Sequence, residues 1–326
     1  MKFSVIIPLY NKAPYVRKAL ETVCAQTYRD YEIIVINDGS TDNSSIIAEE
    51  YLKGIGGVNY KIINQPNAGV AAARNNGVAQ ANGNYLAFLD ADDWWEPTYL
   101  ERMVKLIGDY PDAGLYACNY YYHKDGNNIV KVQNIKTGYI NYPKTYYETF
   151  AMPVWTGATI IPQKVFKDVG GFPLGIKLGE DFLLWAKIAM QYPIVYLNEL
   201  LAYYNNTIPT SYRVTRQLHD PKYHMLFNLN VVFPNDINDT KYATSNDWIQ
   251  LIDMLRLFGL HDYWLSDEFH DIAQREINKV NLSSQKDFLI QLYKTPRWIQ
   301  KIISSIEKIG SAVKQWIIRL KAKGNE

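Results

Sequence analysis

In YLAFLDADDWW, residues 85–95, a short apolar run ends in three closely spaced aspartates. An apolar run of this length, followed at once by polar residues, is typical of a strand buried on both faces of a parallel sheet. Asp90, Asp92 and Asp93 therefore follow the carboxyl end of a strand. In open α/β sheets ligands bind in the crevice outside the carboxyl ends of strands, so this pattern predicts a binding site there.

Around this stretch, strand-like and helix-like segments alternate through residues 1–110. The predicted elements are strands at 3–9, 31–37, 60–65 and 85–89 and helices at 15–26, 42–53, 70–81 and 97–107. This alternation predicts an α/β fold with a Rossmann-like, mainly parallel central sheet and flanking helices. Residues 111–215 mix strand-like pieces with a helix after Gly179, and residues 216–296 are predicted to be largely helical.

Composition excludes several classes of protein. Among 326 residues, 48% are hydrophobic, 21% are charged and the net charge is +1, which is typical of a globular protein and gives no reason to expect a nucleic-acid partner. The two cysteines, Cys24 and Cys118, lie in apolar stretches and are predicted to be small buried hydrophobes. The sequence has no secretory signal and no apolar run of about 18 residues, so a reducing cytoplasm is predicted.

The three aspartates at 90–93 predict a divalent metal. Carboxylates this close repel one another unless a cation is present, and Mg²⁺ or Mn²⁺ suits an all-oxygen site. A calcium loop is the rival metal site, but the glycine and glutamate that it requires at its sixth and twelfth positions are missing. A solvated acidic turn remains the alternative.

Other polar groups follow the first two strands or begin helices. Tyr10 ends the first strand and Asp38 the second, where Ser40 or Thr41 could instead cap a helix. Arg74 lies one turn into an alanine-rich helix, and its alternative role is a surface charge. The acidic pair Glu180-Asp181 begins an apolar helix, where it could simply complement the helix dipole. A functional carboxylate there suits a general base facing a metal-bound leaving group.

Together these segments resemble glycosyltransferase family 2, an inverting family with the GT-A fold. The matching segments are SVIIPLYN (4–11), NDGSTD (37–42), NAGVAAARN (67–75), LDADD (89–93), VGGF (169–172) and GEDFLLW (179–185). The resemblance covers roughly residues 3–215. It implies transfer of a sugar from a nucleotide-sugar, a UDP-sugar in particular, to an acceptor hydroxyl.

The resemblance also implies a role for each matching donor-side residue. Pro8 and Tyr10 would line the base pocket, and Asp38 would bond the uracil ring. Arg74 would contact the nucleotide, and Asp90 would bind on the ribose side.

The remaining implied roles concern the metal and the chemistry. Asp92 would coordinate the metal and Asp93 would position the donor sugar. Asp181 would be the catalytic base, with Glu180 orienting it or the acceptor.

One departure from the family concerns the segment after the catalytic helix. Many relatives carry a histidine there, whereas residues 203–216 read YYNNTIPTSYRVTR and contain none. We therefore expect Arg213 or Arg216 to take the phosphate contact. His219 and His224 are expected to be structural.

A basic amphipathic helix is predicted over residues 297–323. Trp and Ile residues recur there at spacings of three and four, and residues 297–326 contain seven Lys or Arg against two Glu. This pattern favours contact with the anionic inner face of the cytoplasmic membrane, with packing on protein as the alternative. A lipid-linked or glycan acceptor, as in bacterial surface-polysaccharide assembly, would follow.

The predicted organisation is therefore a nucleotide-sugar-binding half (1–110), an acceptor-binding and catalytic half (111–215), a helical region (216–296) and the basic helix (297–326). Two alternative functions stay open. One is a membrane-associated nucleotide-sugar-binding protein without turnover, and the other is a sugar nucleotidyltransferase. The second would need a glycine-rich loop with Arg and Lys near the N-terminus, which SVIIPLYNKAP lacks.

Overall fold

The computed structural model describes residues 1–124, 126–130, 135–207, 218–233 and 237–280. Ten strands and ten α-helices occur in these residues. The strands are β1 (Phe3–Leu9), β2 (Tyr31–Asp38), β3 (Tyr60–Gln65), β4 (Tyr85–Phe88), β5 (Trp94–Trp95), β6 (Leu115–Lys124), β7 (Asn127–Val130), β8 (Gly138–Ile140), β9 (Thr159–Pro162) and β10 (Ile194–Asn205). The helices are α1 (Val16–Cys24), α2 (Ser44–Ile55), α3 (Val70–Ala79), α4 (Tyr99–Asp109), α5 (Tyr142–Thr149), α6 (Gln163–Asp168), α7 (Glu180–Gln191), α8 (Ser245–Gly259), α9 (His261–Leu265) and α10 (His270–Ile277).

The N-terminal half of the sheet is parallel, as predicted. β1 pairs in parallel with both β2 and β4, and β2 pairs in parallel with β3. Every residue of β1 and β2 is buried, which explains why both strands are mainly apolar. The small residues of α3 allow it to approach closely, since a Cβ on Gly77 would lie only 2.5 Å from Cγ2 of Ile6.

Antiparallel pairs join this half to the rest of the sheet. The strand order is β3-β2-β1-β4-β9-β6-β10-β5, and β9 is antiparallel to both β4 and β6. β6 and β10 are parallel again. The short strand β5, which was not predicted, pairs antiparallel with β10 and so ties the segment after the aspartates to the far side of the sheet.

The loops after β1 and β2 are joined by side-chain hydrogen bonds. α2 begins at Ser44, two residues later than predicted, so the alternative role of Ser40 or Thr41 as a cap of this helix is not found. Ser40 Oγ instead accepts from the Asn11 amide at 3.1 Å. The Asn11 side chain accepts from the Thr41 amide at 2.8 Å. The two loops therefore form one framework at the carboxyl edge.

The chain divides into two compact units, residues 1–251 and 252–326, each considered by itself. In the described part of the second unit, Arg256 forms ion pairs with Asp253 and Glu276. Within the described ranges, no helix is long and apolar enough to cross a membrane. The predicted basic helix at 297–323 lies outside the described residues. Our four-part organisation stays a prediction.

Both cysteines are buried and unpaired, as predicted. Burial raises the pKa of the Cys24 thiol to about 11.

Candidate active site

The aspartate loop, residues 90–93, is a tight turn that gives its three carboxylates different surroundings. The Asp93 amide donates to the Asp90 carbonyl at 3.0 Å, which closes the turn. Asp93 itself is buried, and its Oδ1 accepts from the Asn205 amide at 2.7 Å. Its Oδ2 is buried and makes no hydrogen bond within the described residues. Asp93 is thus held inside the fold by the end of β10.

Asp92 faces a cation supplied by the protein. Its Oδ2 pairs with Nζ of Lys12, and both side chains are about one-sixth exposed or less. Burial raises the pKa of Asp92, the Lys12 ammonium opposes this, and neighbouring Asp90 adds to the rise. Burial also raises the pKa of Asp93 well above its ordinary value, with Asp92 and Asp90 contributing. The raised pKa values of Asp92 and Asp93 indicate that the surroundings of the loop do not fully stabilise three negative charges.

The aspartate loop offers carboxylate oxygens that suit a hard divalent cation. Within the loop, Asp92 pairs with Lys12, whereas Asp90 pairs with the buried Arg74. Carboxylate oxygens are the ligands that Mg²⁺ and Mn²⁺ prefer, and Mg²⁺ commonly takes one or two of them beside substrate phosphates. Within the described residues, no three His, Cys, Asp or Glu side chains form a cluster that could hold a metal ion. A cation on Asp92 would therefore need ligands besides the His, Cys, Asp and Glu side chains that the structure describes.

Arg74 joins the aspartate loop to the start of α7. Its Nη2 lies 2.8 Å from Oδ1 of Asp90, and its Nη1 lies 3.0 Å from Oε1 of Glu180. The Arg74 side chain is only 4% exposed, so it is a buried bridge between two carboxylates. Burial lowers its pKa, but Asp90 and Glu180 outweigh that effect and raise the pKa overall. Its predicted nucleotide contact stays a prediction.

The acidic pair at the start of α7 has one buried and one partly exposed member. Gly179 precedes the helix with φ 81°, a left-handed conformation that glycine adopts without strain. Burial raises the pKa of Glu180 to about 7, Asp181 adds to the rise and Arg74 opposes it. Asp181 Oδ2 accepts from Thr156 Oγ1 at 3.2 Å, and its Oδ1 accepts from the Phe182 amide at 2.7 Å. The predicted base is therefore oriented by two donors.

The predicted base pocket lies at the ends of β1 and β2. Pro8 is buried within β1, whereas Tyr10 is 46% exposed just beyond it. Asp38 is buried, and its carboxylate accepts from the amides of Ala68 and Gly69 at 2.8 and 2.9 Å. Asp38 thus holds the loop before α3 in place. Its predicted bond to uracil stays a prediction.

The segment expected to contact phosphate is described only in part. Arg213 and Arg216 lie outside the described residues. His224 is buried, and its Nδ1 accepts from the Leu226 amide at 3.1 Å. Burial, and to a lesser extent His219, lowers the pKa of His224 to about 4. His224 is therefore neutral at physiological pH and serves a local structural contact.

Three residues at this site were missed in the sequence. Lys12 follows the first strand and could have been suspected, since it stands two residues after Tyr10. No pattern in the local sequence points to Thr156 or Asn205, because the folded sheet brings each of them to the site from a distant part of the chain.

With this geometry in view, the family is clear. The profile of glycosyl transferase family 2 matches residues 4–169, and the chain belongs to this family. The expected resemblance is confirmed.

Curated relatives agree with this assignment. The chain is 36% identical over 219 residues to glycosyltransferase GlyA of Streptococcus pneumoniae, which covers 62% of this chain and 30% of the relative. It is 40% identical over 144 residues to putative glycosyltransferase EpsH of Bacillus subtilis, which covers 44% of this chain and 41% of the relative. The match thus spans less than half the length of either relative.

Solved structures share the fold. S. aureus TarS 1-349, solved in complex with UDP, has a TM-score of 0.64 at 19% identity, covering 81% of this chain and 75% of that one. Mannosyltransferase PcManGT from Pyrobaculum calidifontis, solved with GDP-Man and Mn²⁺, has a TM-score of 0.55 at 20% identity, covering 90% and 78%. The predicted GT-A fold, a central sheet with flanking helices and a helical C-terminal region, is confirmed.

Proposed function

We propose that this chain transfers a sugar from a nucleotide-sugar donor to an acceptor hydroxyl and inverts the anomeric centre. The observation that carries the proposal is the Arg74 bridge, which binds Asp90 of the aspartate loop and Glu180, the neighbour of Asp181. This bridge supports the proposal because it joins the aspartate loop to the start of α7, where Asp181 is partly exposed. Those are the two parts that an inverting transfer requires.

In the proposed reaction, Asp181 is the catalytic base. Its carboxylate takes the proton of the acceptor hydroxyl while that oxygen attacks the anomeric carbon. The bond from the anomeric carbon to the phosphate oxygen breaks on the opposite face, and the nucleoside diphosphate leaves with the bonding electrons. A single displacement of this kind inverts the anomeric centre. Glu180 and Arg74 hold the start of α7 in position. Glu180 would also orient the base or the acceptor, and Arg74 would contact the nucleotide.

A divalent cation, Mn²⁺ or Mg²⁺, is part of the proposal. Asp92 would hold it, and when bound it supplies positive charge beside the departing diphosphate. Lys12 pairs with Asp92 in this structure, so it would share that carboxylate with the cation. The PcManGT structure with Mn²⁺ supports this part of the proposal.

The donor is proposed to be a UDP-sugar. TarS structures in complex with UDP and UDP-GlcNAc support this choice. Pro8 and Tyr10 would then line the base pocket, Asp38 would face uracil, and Asp90 and Asp93 would face ribose and the donor sugar. The acceptor would be a glycan or lipid-linked glycan in surface-polysaccharide assembly, with residues 297–323 meeting the inner membrane face and Arg213 reaching phosphate.

Asp181→Asn tests the proposal in a donor-turnover assay, run with a panel of UDP-sugars and GDP-mannose in the presence of Mn²⁺. We expect kcat to fall by about 100-fold or more, as for loss of a general base, while UDP affinity measured by calorimetry changes little. Asp168→Asn is the matched control, because Asp168 is an exposed carboxylate paired with Lys164 on α6.

Three results would contradict the proposal. Unchanged turnover in Asp181→Asn would remove Asp181 from the base role. Thermal stabilisation by UDP and Mn²⁺ without turnover of any donor would favour a binding protein instead. Stabilisation by NAD equal to that by UDP would exclude a nucleotide-sugar site.

A further inference from the structure

Asp181 is contacted by a buried hydroxyl from a distant part of the chain. Thr156 is 2% exposed and lies in a single turn of 3-10 helix, residues Thr156–Ala158, directly before β9. Its Oγ1 donates to Oδ2 of Asp181 at 3.2 Å. Since the Phe182 amide donates to the other oxygen, the two donors together fix the rotation of the carboxylate.

The turn that carries Thr156 is itself held firmly. Thr159 Oγ1 donates to the Thr156 carbonyl at 2.9 Å, and both residues are buried. Trp95 Nε1 donates to the Gly157 carbonyl at 2.6 Å. A Cβ on Gly157 would lie 2.4 Å from the Trp155 ring, so this ring closes over the turn. The Thr156 hydroxyl therefore has little freedom to move.

Trp95 connects this turn to the aspartate loop. It stands two residues after Asp93, on β5, and its ring stacks on Tyr99 with centroids 4.3 Å apart. One side chain thus anchors both the strand that leaves the aspartate loop and the turn that contacts Asp181. A displacement of the turn would move the Thr156 hydroxyl relative to the aspartates.

We propose that Thr156 is a positioning residue for the catalytic base: its hydroxyl, fixed to the aspartate loop through Trp95, aims the Asp181 carboxylate at the acceptor hydroxyl. This inference rests on the proposed function. A base accelerates proton transfer only within hydrogen-bond reach of the proton, so a small rotation of the carboxylate is costly. Each carboxylate oxygen accepts one of these hydrogen bonds and keeps a further lone pair for the proton of the acceptor.

Among the described residues, the titratable groups that interact with Asp181 include three tyrosines, Glu180 and Arg74. Burial raises the pKa values of Tyr120, Tyr142 and Tyr146, and the Asp181 charge adds to each rise. These tyrosines therefore stay protonated through the range in which carboxylates titrate. Glu180 is the other nearby group that titrates there, and Arg74 stays charged.

Three variants test the inference in the donor-turnover assay. Thr156→Val keeps the shape of the side chain and removes the donor, so kcat should fall about 10-fold to 100-fold with little change in donor KM. Thr156→Ser keeps the hydroxyl and should restore most of kcat.

Thr27→Val is the matched control, because Thr27 Oγ1 also donates to a carboxylate, Oε2 of Glu101 at 2.6 Å, but on an exposed surface. It should keep wild-type kcat and donor KM. Wild-type kcat in Thr156→Val would overturn the inference while leaving the transferase intact. Equal losses in the valine and serine variants would also overturn it, since packing rather than the hydroxyl would then matter. If the wild type turns over no donor, the proposed function fails and this role falls with it.

Discussion

Replacing Arg74 by methionine removes the cation that two carboxylates share, while nearly preserving the length of the side chain. The Glu180 side chain is 11% exposed and would lose its ion-pair partner, whereas Asp90 is 29% exposed and keeps some water. Breaking a buried ion pair by removing one partner costs about 3–5 kcal/mol, because a charge is left without compensation. We expect a loss of that size in the free energy of unfolding near pH 8.

The loss should depend on pH. Arg74 at present opposes the rise in the pKa of Glu180, so the variant should raise that pKa further. An acid whose pKa is higher in the folded state binds more protons there, and stability then falls as pH rises through the window between the unfolded and folded values. The variant should therefore lose less stability near pH 5.5 than near pH 8, since Glu180 is neutral at the lower pH.

Urea unfolding followed by tryptophan fluorescence measures both effects. Arg102→Met is the matched control, because Arg102 pairs with Glu199 through side chains that are 38% and 35% exposed. An exposed pair contributes about 0–1 kcal/mol, so this control should change little at either pH. Equal losses in the two variants would refute the idea that Arg74 neutralises a buried pair. Arg74→Lys should fall between wild type and methionine, since one ammonium group cannot reach both carboxylates in the same way.

Two further predictions concern the acidic groups. Because burial raises the pKa of Glu180 from 4.5 to about 7, the wild type should lose stability as pH rises through that window. In Glu180→Gln the melting temperature should therefore depend less on pH. An unchanged slope of melting temperature against pH would contradict this prediction. Lys12→Met should lower the free energy of unfolding by on the order of 2 kcal/mol, because it leaves Asp92 without its ion-pair partner. Mn²⁺ with UDP should then stabilise this variant more than it stabilises the wild type. Lys53→Met, which breaks an exposed pair with Glu49, is the control, and equal Mn²⁺-induced shifts in the two variants would count against a cation on Asp92.

The first half of the fold was predictable because its signals are local. The strand predicted at 60–65 has those bounds in the structure, and the helix predicted from residue 70 begins there. β1, β2 and β4 are mainly apolar and mainly buried. A strand that is buried on both faces is apolar at most of its positions, so its local sequence reveals it. Helix ends were less accurate, since α1 ends at Cys24 rather than residue 26.

The second half was less predictable. β5 is only two residues long and gains its strand character by pairing with β10, which no local pattern reveals. The antiparallel direction of β9 depends on its position between β4 and β6. Strand order and direction are set by which surfaces pack together, so a single sequence carries little record of them.

The local sequence pattern predicted which polar residues follow buried strands, and therefore that Asp38 and Asp90–Asp93 lie at one edge of the sheet. The ion pairs and hydrogen bonds that the site residues form could be read from the tertiary structure alone. Lys12 reaches Asp92 across 80 residues, Arg74 reaches Glu180 across 106, and Thr156 reaches Asp181 across 25. The physical reason is that apolar periodicity encodes burial, whereas the charge and hydrogen bonding of a site depend on atoms that only the completed sheet brings within a few ångströms.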